Sequence, residues 1–182
     1  MGDYLSFVSK GIQSHLDQKA GYQTKDPDPC FLARVFFCGR LLTPMEKIII
    51  YTDGGSRGNP GPAAVGVYVT DAKGTMITEV AETIGNATNN FAEYQGVLRG
   101  LQTVKEKYGK KTKEMEVELR LDSELVKKQL NGEYQIKEAG LVPHFIEIHN
   151  LRVSAFPHVT FTHVKREKNK EADRLVNEAL DA

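Results

Sequence analysis

Residues 51–62 read YTDGGSRGNPGP, and they follow the apolar run MEKIII at residues 45–50. The β-branched residues of that run are typical of a strand buried on both faces, and the glycines and prolines predict its end. We therefore expect a buried strand that stops at Asp53. An acid in this place either begins a turn or belongs to a functional site, and Asp53 alone does not distinguish the two.

The composition is that of a globular protein of one ordinary domain with an appendage. The chain has 182 residues, of which 40% are hydrophobic, enough for a core. The 24 basic and 24 acidic residues cancel, so net charge neither favours nor excludes a nucleic-acid partner. Basic residues are grouped at 105–113, 127–128 and 165–170, and such runs are commonly solvated faces.

Residues 1–44 differ from the rest of the chain. The run Asp26-Pro27-Asp28-Pro29 interrupts any element, and residues 31–37 have no clean period. We interpret residues 1–44 as an N-terminal extension of unknown role, which is an accessory arm, an engineered segment or an extension from an earlier start codon, either docked or disordered. Residues 45–182 are the expected functional domain.

Cysteine usage and hydropathy bear on the compartment. Both cysteines, Cys30 and Cys38, lie in the extension, so the domain needs no disulfide, as expected in a reducing environment. The most apolar stretch, residues 30–42, contains two arginines and is too short to span a bilayer. We expect a cytoplasmic protein without a membrane partner.

From Met45 onward the pattern predicts the element order β β β α β α α β α. Residues 63–70 and 75–84 alternate as strands joined by a hairpin, and a helix capped by Asn89 or Asn90 follows. The later elements are a strand over 117–121, a short helix capped by Ser123, a helix over 141–153, a strand over 158–164 and a helix from about Lys168.

This order predicts an α/β fold with an antiparallel meander. A helical crossover from the meander to the fourth strand makes that strand parallel to the first, since such connections are nearly always right-handed. Ligands of open α/β sheets bind in the crevice at the carboxyl ends of the strands. Asp53 and Asp122, which follow the first and fourth strands, are expected at that crevice.

Two further acids are directed toward the same place. Glu93 is expected in the first turn of the first long helix, and Asp173 near the start of the last helix. Each has a simple explanation on its own, because acids favour helix N-termini. Together, four carboxylates in one crevice would repel one another unless cations neutralise them.

Hard divalent ions suit this set of acids. The domain has no cysteine and no pair of histidines with ligand spacing, so Mg²⁺ or Mn²⁺ with oxygen ligands fits best. Two such ions activate a water on one side of a phosphodiester and stabilise the leaving oxygen on the other. The sequence therefore predicts metal-assisted phosphoryl hydrolysis.

Taken together, the motifs resemble the type 1 ribonuclease H (RNase HI) family over residues 45–182. They are Thr52-Asp53-Gly54-Gly55 with Gly58-Asn59-Pro60-Gly61-Pro62, Thr88-Asn89-Asn90 ahead of Glu93, Leu121-Asp122-Ser123, and Asn169 four residues before Asp173. The resemblance implies a five-stranded mixed sheet flanked by helices, with the fourth and fifth strands parallel to the first. It also implies cleavage of the RNA strand of RNA/DNA hybrids, which leaves 5′-phosphate and 3′-hydroxyl ends. By the same resemblance the catalytic, metal-binding acids are Asp53, Glu93, Asp122 and Asp173.

The resemblance also implies substrate contacts. Asn59, Asn89 and Asn90 resemble residues that touch the minor groove of the hybrid, and Thr88 resembles one that holds a DNA phosphate. Amide side chains suit minor-groove edges and 2′-hydroxyls, although capping and turn formation are the alternative explanation for the asparagines. The other expected substrate-binding residues are Gly54, Lys127, Lys128, Arg166 and Asn169.

Some features depart from the family pattern. Many members carry a mobile histidine in the loop before the last acid, whereas residues 165–169 contain none; His163 is expected to be structural, and Arg166 is the candidate cation instead. The chain has no tryptophan and no room for the basic helix of the better-known bacterial form, and residues 133–141 are expected to be only a connector. Hybrid binding is then left to the lysine runs, of which Lys127-Lys128 is the candidate nearest to Asp122. Glu124 stands where some relatives carry a substrate-binding amide.

Two alternatives remain open at the level of sequence. The same fold acting on double-stranded RNA or branched DNA is one, and a hybrid-binding module with weak turnover is the other. No obligate protein partner is implied.

Overall fold

A computed structural model describes residues 45–182, so the expectations for residues 1–44 lie outside the described part of the chain. Short 3₁₀ helices occupy Gly109–Glu114, Ala139–Leu141 and Arg166–Lys168. The strands are β1 (Lys47–Ser56), β2 (Gly61–Asp71), β3 (Met76–Ala87), β4 (Glu116–Leu121) and β5 (Val159–His163), and the helices are α1 (Asn89–Tyr108), α2 (Glu124–Leu130), α3 (Val142–Ala155) and α4 (Lys170–Asp181). None of the described helices is long and apolar enough to cross a membrane.

The five strands form one mixed sheet in the order β3-β2-β1-β4-β5. β1 to β3 pair antiparallel, whereas β4 is parallel to β1 and β5 is parallel to β4. This confirms the expected five-stranded sheet and its element order. In the parallel ladder Thr52 pairs with Leu121, so the next residues, Asp53 and Asp122, lie side by side on neighbouring strands.

The expectation that the first strand stops at Asp53 is wrong. β1 continues through Ser56, and Asp53 to Ser56 pair with Gly66 to Ala63 of β2. Glycine adopts extended backbone without cost in sterics, and the antiparallel partner supplies the hydrogen bonds that hold it there. The glycines after Asp53 therefore serve packing inside the sheet, and the turn begins only at Arg57.

Successive residues of β1 face opposite layers of the fold. Ile48 and Ile50 are fully buried in the main core with residues of α1 and α3. On the other face, a Cβ built on Gly55 would lie 3.2 Å from the Val176 side chain of α4. Asp53, two residues from Gly55, projects to this α4 face.

Small residues let α1 lie directly on β1. A Cβ on Gly54 would lie 2.1 Å from the main-chain carbonyl of Ala92, and one on Gly96 would lie 2.8 Å from the Asp53 carbonyl oxygen. Ala92, Gly96 and Gly100 are spaced by four residues and so share one face of the helix. The close approach brings Glu93 beside Asp53.

Replacing Gly54 with alanine is expected to lower the free energy of unfolding by about 3 kcal/mol, because the new methyl group overlaps the backbone of α1. Urea unfolding followed by circular dichroism measures this. Gly140→Ala is the matched control: a Cβ there meets nothing within 4 Å, so a change within about 0.5 kcal/mol is expected. Equal stability of the two variants would contradict the packing described here.

The start of α1 differs from the expected one. Thr88 is the N-cap, and its hydroxyl accepts a hydrogen bond from the Phe91 N–H at 3.3 Å, so the assignment of the cap to Asn89 or Asn90 is wrong. Glu93 is consequently the fifth residue of the helix, beyond the first turn. The helix dipole therefore explains Glu93 less well than a functional role does. Ser123 caps α2 as expected, accepting from the Val126 N–H.

Candidate active site

Three carboxylates meet at the carboxyl end of β1 and β4. Asp53 comes from β1, Glu93 from the second turn of α1, and Asp122 from the residue after β4. One oxygen of each lies within 4.8 Å of the others. We call these three residues the acid cluster. Their oxygens match the ligands that Mg²⁺ and Mn²⁺ prefer, so the residues present fit hard divalent ions.

Burial and mutual repulsion raise the pKa of Asp53 and of Glu93. Burial, together with the charges of Asp122 and Asp173, raises the pKa of Asp53 to about 6. Burial, together with the charges of Asp53 and Asp122, raises the pKa of Glu93 to about 9. Cations at this place would displace those protons and relieve the repulsion.

Asp173 lies in the first turn of α4 and lines the same cavity as the acid cluster. Its Oδ1 accepts a hydrogen bond from Arg166 Nη2 at 2.5 Å, and its Oδ2 accepts from Asn177 Nδ2 at 3.3 Å. The structure thus places all four predicted acids around one cavity, three in the cluster and Asp173 beside them. Asp173 is near enough for its charge to raise the pKa of Asp53.

Arg166 brings a positive charge to this cavity. It begins the 3₁₀ helix that precedes α4, and its side chain is 75% exposed while it holds Asp173. Its charge opposes the rise in the pKa of both Asp53 and Glu93. An exposed cation that is paired with Asp173 therefore lines the cavity, in the loop where the sequence lacks a histidine.

Predicted substrate-binding asparagines cluster beside the acids. The Asn89 N–H donates to Asn59 Oδ1 at 3.1 Å, which ties the β1–β2 turn to the start of α1. The side chains of Asn59, Asn89 and Asn90 are exposed. Gly54 and Asn89 line the cavity directly, and the Gly54 N–H donates to Asp53 Oδ1 at 2.9 Å.

The two predicted lysine contacts lie on α2. Lys127 Nζ is 2.6 Å from Glu133 Oε1, and Lys128 Nζ is 2.8 Å from Glu124 Oε1. Lys128 also lies 4.7 Å from the centre of the Tyr134 ring. Both lysines lie outside the set of described residues that line the acid cavity.

Comparison with known proteins agrees with this geometry. A family model described as "Reverse transcriptase-like" matches residues 51–179. Ribonuclease HI of Halobacterium salinarum is 41% identical over 135 residues, which are 74% of this chain and 65% of that protein. The chain belongs to the type 1 ribonuclease H family.

Solved structures of this ribonuclease H family superpose closely. LC11-RNase H1, isolated from compost by a metagenomic approach, is 50% identical with a TM-score of 0.72 and covers 75% of this chain and 97% of its own. The same protein in complex with an RNA/DNA hybrid is 48% identical with a TM-score of 0.71, covering 74% and 96%. Against a bifunctional protein of Mycobacterium tuberculosis, 39% identical, the chain spans 75% of its own residues but only 36% of the relative.

In its described residues 45–182, this member of the ribonuclease H family has no counterpart of the basic helix, or basic protrusion, of the better-known bacterial form. Between α2 and α3, residues 131–141 hold a loop and one turn of 3₁₀ helix. This agrees with the expected short connector.

Asn169 is the predicted substrate contact that the structure does not support. Its side chain is 1% exposed, and its Nδ2 donates to the Thr52 carbonyl at 3.0 Å and to Asp122 Oδ1 at 3.4 Å. Burial of this kind disfavours direct contact between Asn169 and a nucleic acid.

Two residues near the acids were not indicated by the sequence patterns. Asn177 Nδ2 donates to the Asp173 carbonyl at 2.8 Å and contacts its carboxylate, and its spacing of four residues along one helix was the available signal. Arg57, which lines the cavity, pairs with Asp181 at the end of α4.

His163 Nε2 lies 3.2 Å from the Asp122 carbonyl oxygen, consistent with a structural role.

Proposed function

We propose that this type 1 ribonuclease H hydrolyses the RNA strand of RNA/DNA hybrids with two divalent ions, Mg²⁺ or Mn²⁺, and leaves 5′-phosphate and 3′-hydroxyl ends. The observation that carries the proposal is the acid cluster, whose three oxygens lie within 4.8 Å of one another. Placing three negatively charged carboxylates this close together is unfavourable without bound cations. The hybrid complex of LC11-RNase H1 supports the substrate class.

The residues that would hold the ions are the acid cluster and Asp173. When bound, divalent ions supply the positive charge that favours attack of a water on the phosphorus and departure of the leaving oxygen. The chain's own contribution is the orientation of the carboxylates. Asp53 is 8% exposed, and the Gly54 N–H holds its Oδ1, so the other carboxylate oxygen has a fixed direction.

The exposed asparagines support recognition of a hybrid. Asn59, Asn89 and Asn90 offer both donors and acceptors, which suit minor-groove base edges and the 2′-hydroxyls that distinguish RNA from DNA. The Thr88 hydroxyl accepts from the Phe91 N–H, and its own hydrogen remains available to donate to a phosphate. We infer that a hybrid lies across the start of α1 with its RNA strand over the acid cluster.

Two further features belong to the proposal. All four acids come from one chain, so a protein partner is not required to complete the site.

We place the activity in the cytoplasm, since residues 45–182 contain no cysteine and need no oxidising environment.

Arg166→Ala is expected to lower kcat by about 10- to 100-fold, because a cation that meets developing negative charge is removed. Steady-state cleavage of a fluorescent hybrid measures the effect. Arg166→Lys keeps the charge but loses the planar guanidinium, and we expect an intermediate rate. An unchanged kcat in Arg166→Ala would show that the cation lining the cavity takes no part in turnover.

A substrate panel tests the proposed function. Labelled RNA/DNA hybrid, double-stranded RNA and branched DNA are incubated with the whole chain and Mg²⁺ or Mn²⁺, and binding is measured in parallel at rising salt. We expect product from the hybrid in preference to the others, and affinity that falls with salt. Hybrid binding without product under either ion would identify a binding module instead.

A further inference from the structure

Asn169 has an unusual place in the fold. It lies between the 3₁₀ helix at Arg166–Lys168 and α4, yet its side chain is 1% exposed among exposed neighbours. Its Nδ2 reaches the Thr52 carbonyl, the residue before Asp53, and the Asp122 carboxylate. One amide group therefore touches both neighbouring strands from which two of the cluster acids come.

The main chain of Asn169 makes two further contacts. Its N–H donates to the Arg166 carbonyl at 2.9 Å, and its carbonyl accepts from the Asp173 N–H at 3.1 Å. Asn169 thus joins the backbone of Arg166 and Asp173 to β1 and β4. A shift of this residue would move the arginine and the fourth acid together.

The Nδ2 end of the Asn169 amide is hydrogen-bonded, whereas its Oδ1 end is not. Among the described residues Asn169 Oδ1 is buried without a hydrogen-bond partner. A buried unpaired oxygen costs stability, and an apolar side chain of similar size would avoid that cost. The benefit of asparagine at this position therefore lies in its donor end, which holds Thr52 and Asp122.

We propose that Asn169 is a positioning residue of the active site. It fixes the Asp122 carboxylate by one oxygen and anchors the start of α4, with Arg166 and Asp173, to β1. The inference rests on the proposed function, because Asp122 is taken as a metal ligand. Hydrogen-bond partners of metal ligands commonly change metal affinity or activity by about 10- to 100-fold when they are removed.

The test separates positioning from substrate contact. Asn169→Ala is expected to lower kcat on the hybrid and to weaken Mn²⁺ binding, each by about 10- to 100-fold, with KM changed by less than about twofold. Asn90→Ala, at an exposed residue proposed to contact the hybrid, is expected to raise KM, which is the pattern of a substrate contact. Mn²⁺ affinity is measured by calorimetry on the whole chain without substrate.

Conservative variants and a matched control accompany this test. Asn169→Ser keeps a donor in a smaller side chain and is expected to retain part of the Mn²⁺ affinity, whereas Asn169→Leu keeps a similar size without the donor and without added charge, and is expected to lose it. Gln129→Ala removes another buried amide, 6% exposed, which donates to the Gln135 carbonyl and accepts from the Tyr94 hydroxyl. It is expected to lower stability and leave Mn²⁺ affinity unchanged.

The outcomes are distinguishable. A raised KM with unchanged kcat and Mn²⁺ affinity in Asn169→Ala would make Asn169 a substrate contact and overturn the proposal. Changes no larger than those of Gln129→Ala, or loss of folding in all three Asn169 variants, would assign it to the fold alone. If the parent protein cleaves nothing, the proposed function fails, while the Mn²⁺ titration still decides whether Asn169 positions the acids.

Discussion

Asp53→Asn is expected to lower the rate of hybrid cleavage by about a thousandfold or more, because the loss of a shared ligand removes several kcal/mol of metal-derived stabilisation from the transition state. The same change is expected to stabilise the metal-free protein at pH 8. Asparagine keeps an oxygen for the Gly54 N–H but carries no charge. Burial and the neighbouring acids raise the pKa of Asp53 from 3.8 to about 6, and ionising such a group costs about 3 kcal/mol at pH 8.

These opposite effects distinguish chemistry from folding. Cleavage assays measure the loss of rate, and thermal unfolding in a chelator measures the gain in stability of the metal-free protein. Glu106→Gln, at an exposed acid of α1, is the matched control and is expected to change neither by much. Full activity in Asp53→Asn, or lost activity together with lost stability, would contradict the assignment of Asp53 to the reacting centre.

The metal-free protein is expected to lose stability as the pH rises from 5 to 8. Glu93 has an ordinary pKa of 4.5, and burial with the charges of Asp53 and Asp122 raises it to about 9 in the fold. A carboxyl whose pKa is raised on folding contributes stability that is complete below about pH 4.5 and is lost as the pH rises through about 9. The expected slope is about 1.4 kcal/mol for each pH unit while one extra proton is held.

Bound divalent ions are expected to reverse this trend, because they take the place of the proton and bind more tightly as the carboxyls ionise. Urea unfolding at pH 5, 6, 7 and 8, with a chelator or with Mn²⁺, measures both effects. Glu93→Gln is the control and is expected to flatten the metal-free profile. A metal-free stability that is level or rises over this range in the parent would contradict the raised pKa of Glu93.

The sheet and the positions of two acids could be predicted from sequence because their signals are local or topological. The alternation at residues 117–121 and the apolar run before Asp53 indicate strands, and the handedness of the crossover makes them parallel. Asp53 and Asp122 then follow paired residues, Thr52 and Leu121. No distance was needed to place these carboxylates together.

The position of Glu93 beside Asp53 could not be predicted from hydrophobic periodicity alone. Helical spacing showed that α1 packs on the sheet, but the depth of contact depends on Gly54 and Gly96, where a single methyl group would clash. The glycines after Asp53 indicated a turn by their local preference, and pairing with β2 overrode it. Tertiary contacts decided both points.

The loop before α4 was the least predictable part of the site. Residues 165–169 have no apolar period, and Asn169 is buried through a hydrogen bond to Thr52, 117 residues earlier in the chain. An asparagine in a basic loop is ordinarily expected to be exposed to solvent. A contact between residues so distant in sequence leaves no local pattern, so the enclosed amide of Asn169 emerges only from the structure.

The most direct test of the central claim is the fate of each strand of a doubly labelled RNA/DNA hybrid incubated with the whole chain. We expect the RNA strand to be cut only when Mg²⁺ or Mn²⁺ is present, the DNA strand to stay intact, and the products to carry 5′-phosphate and 3′-hydroxyl ends. An RNA strand that stays intact under both ions, or that is cut equally well in a chelator, would contradict the assignment of the acid cluster to metal-dependent hydrolysis.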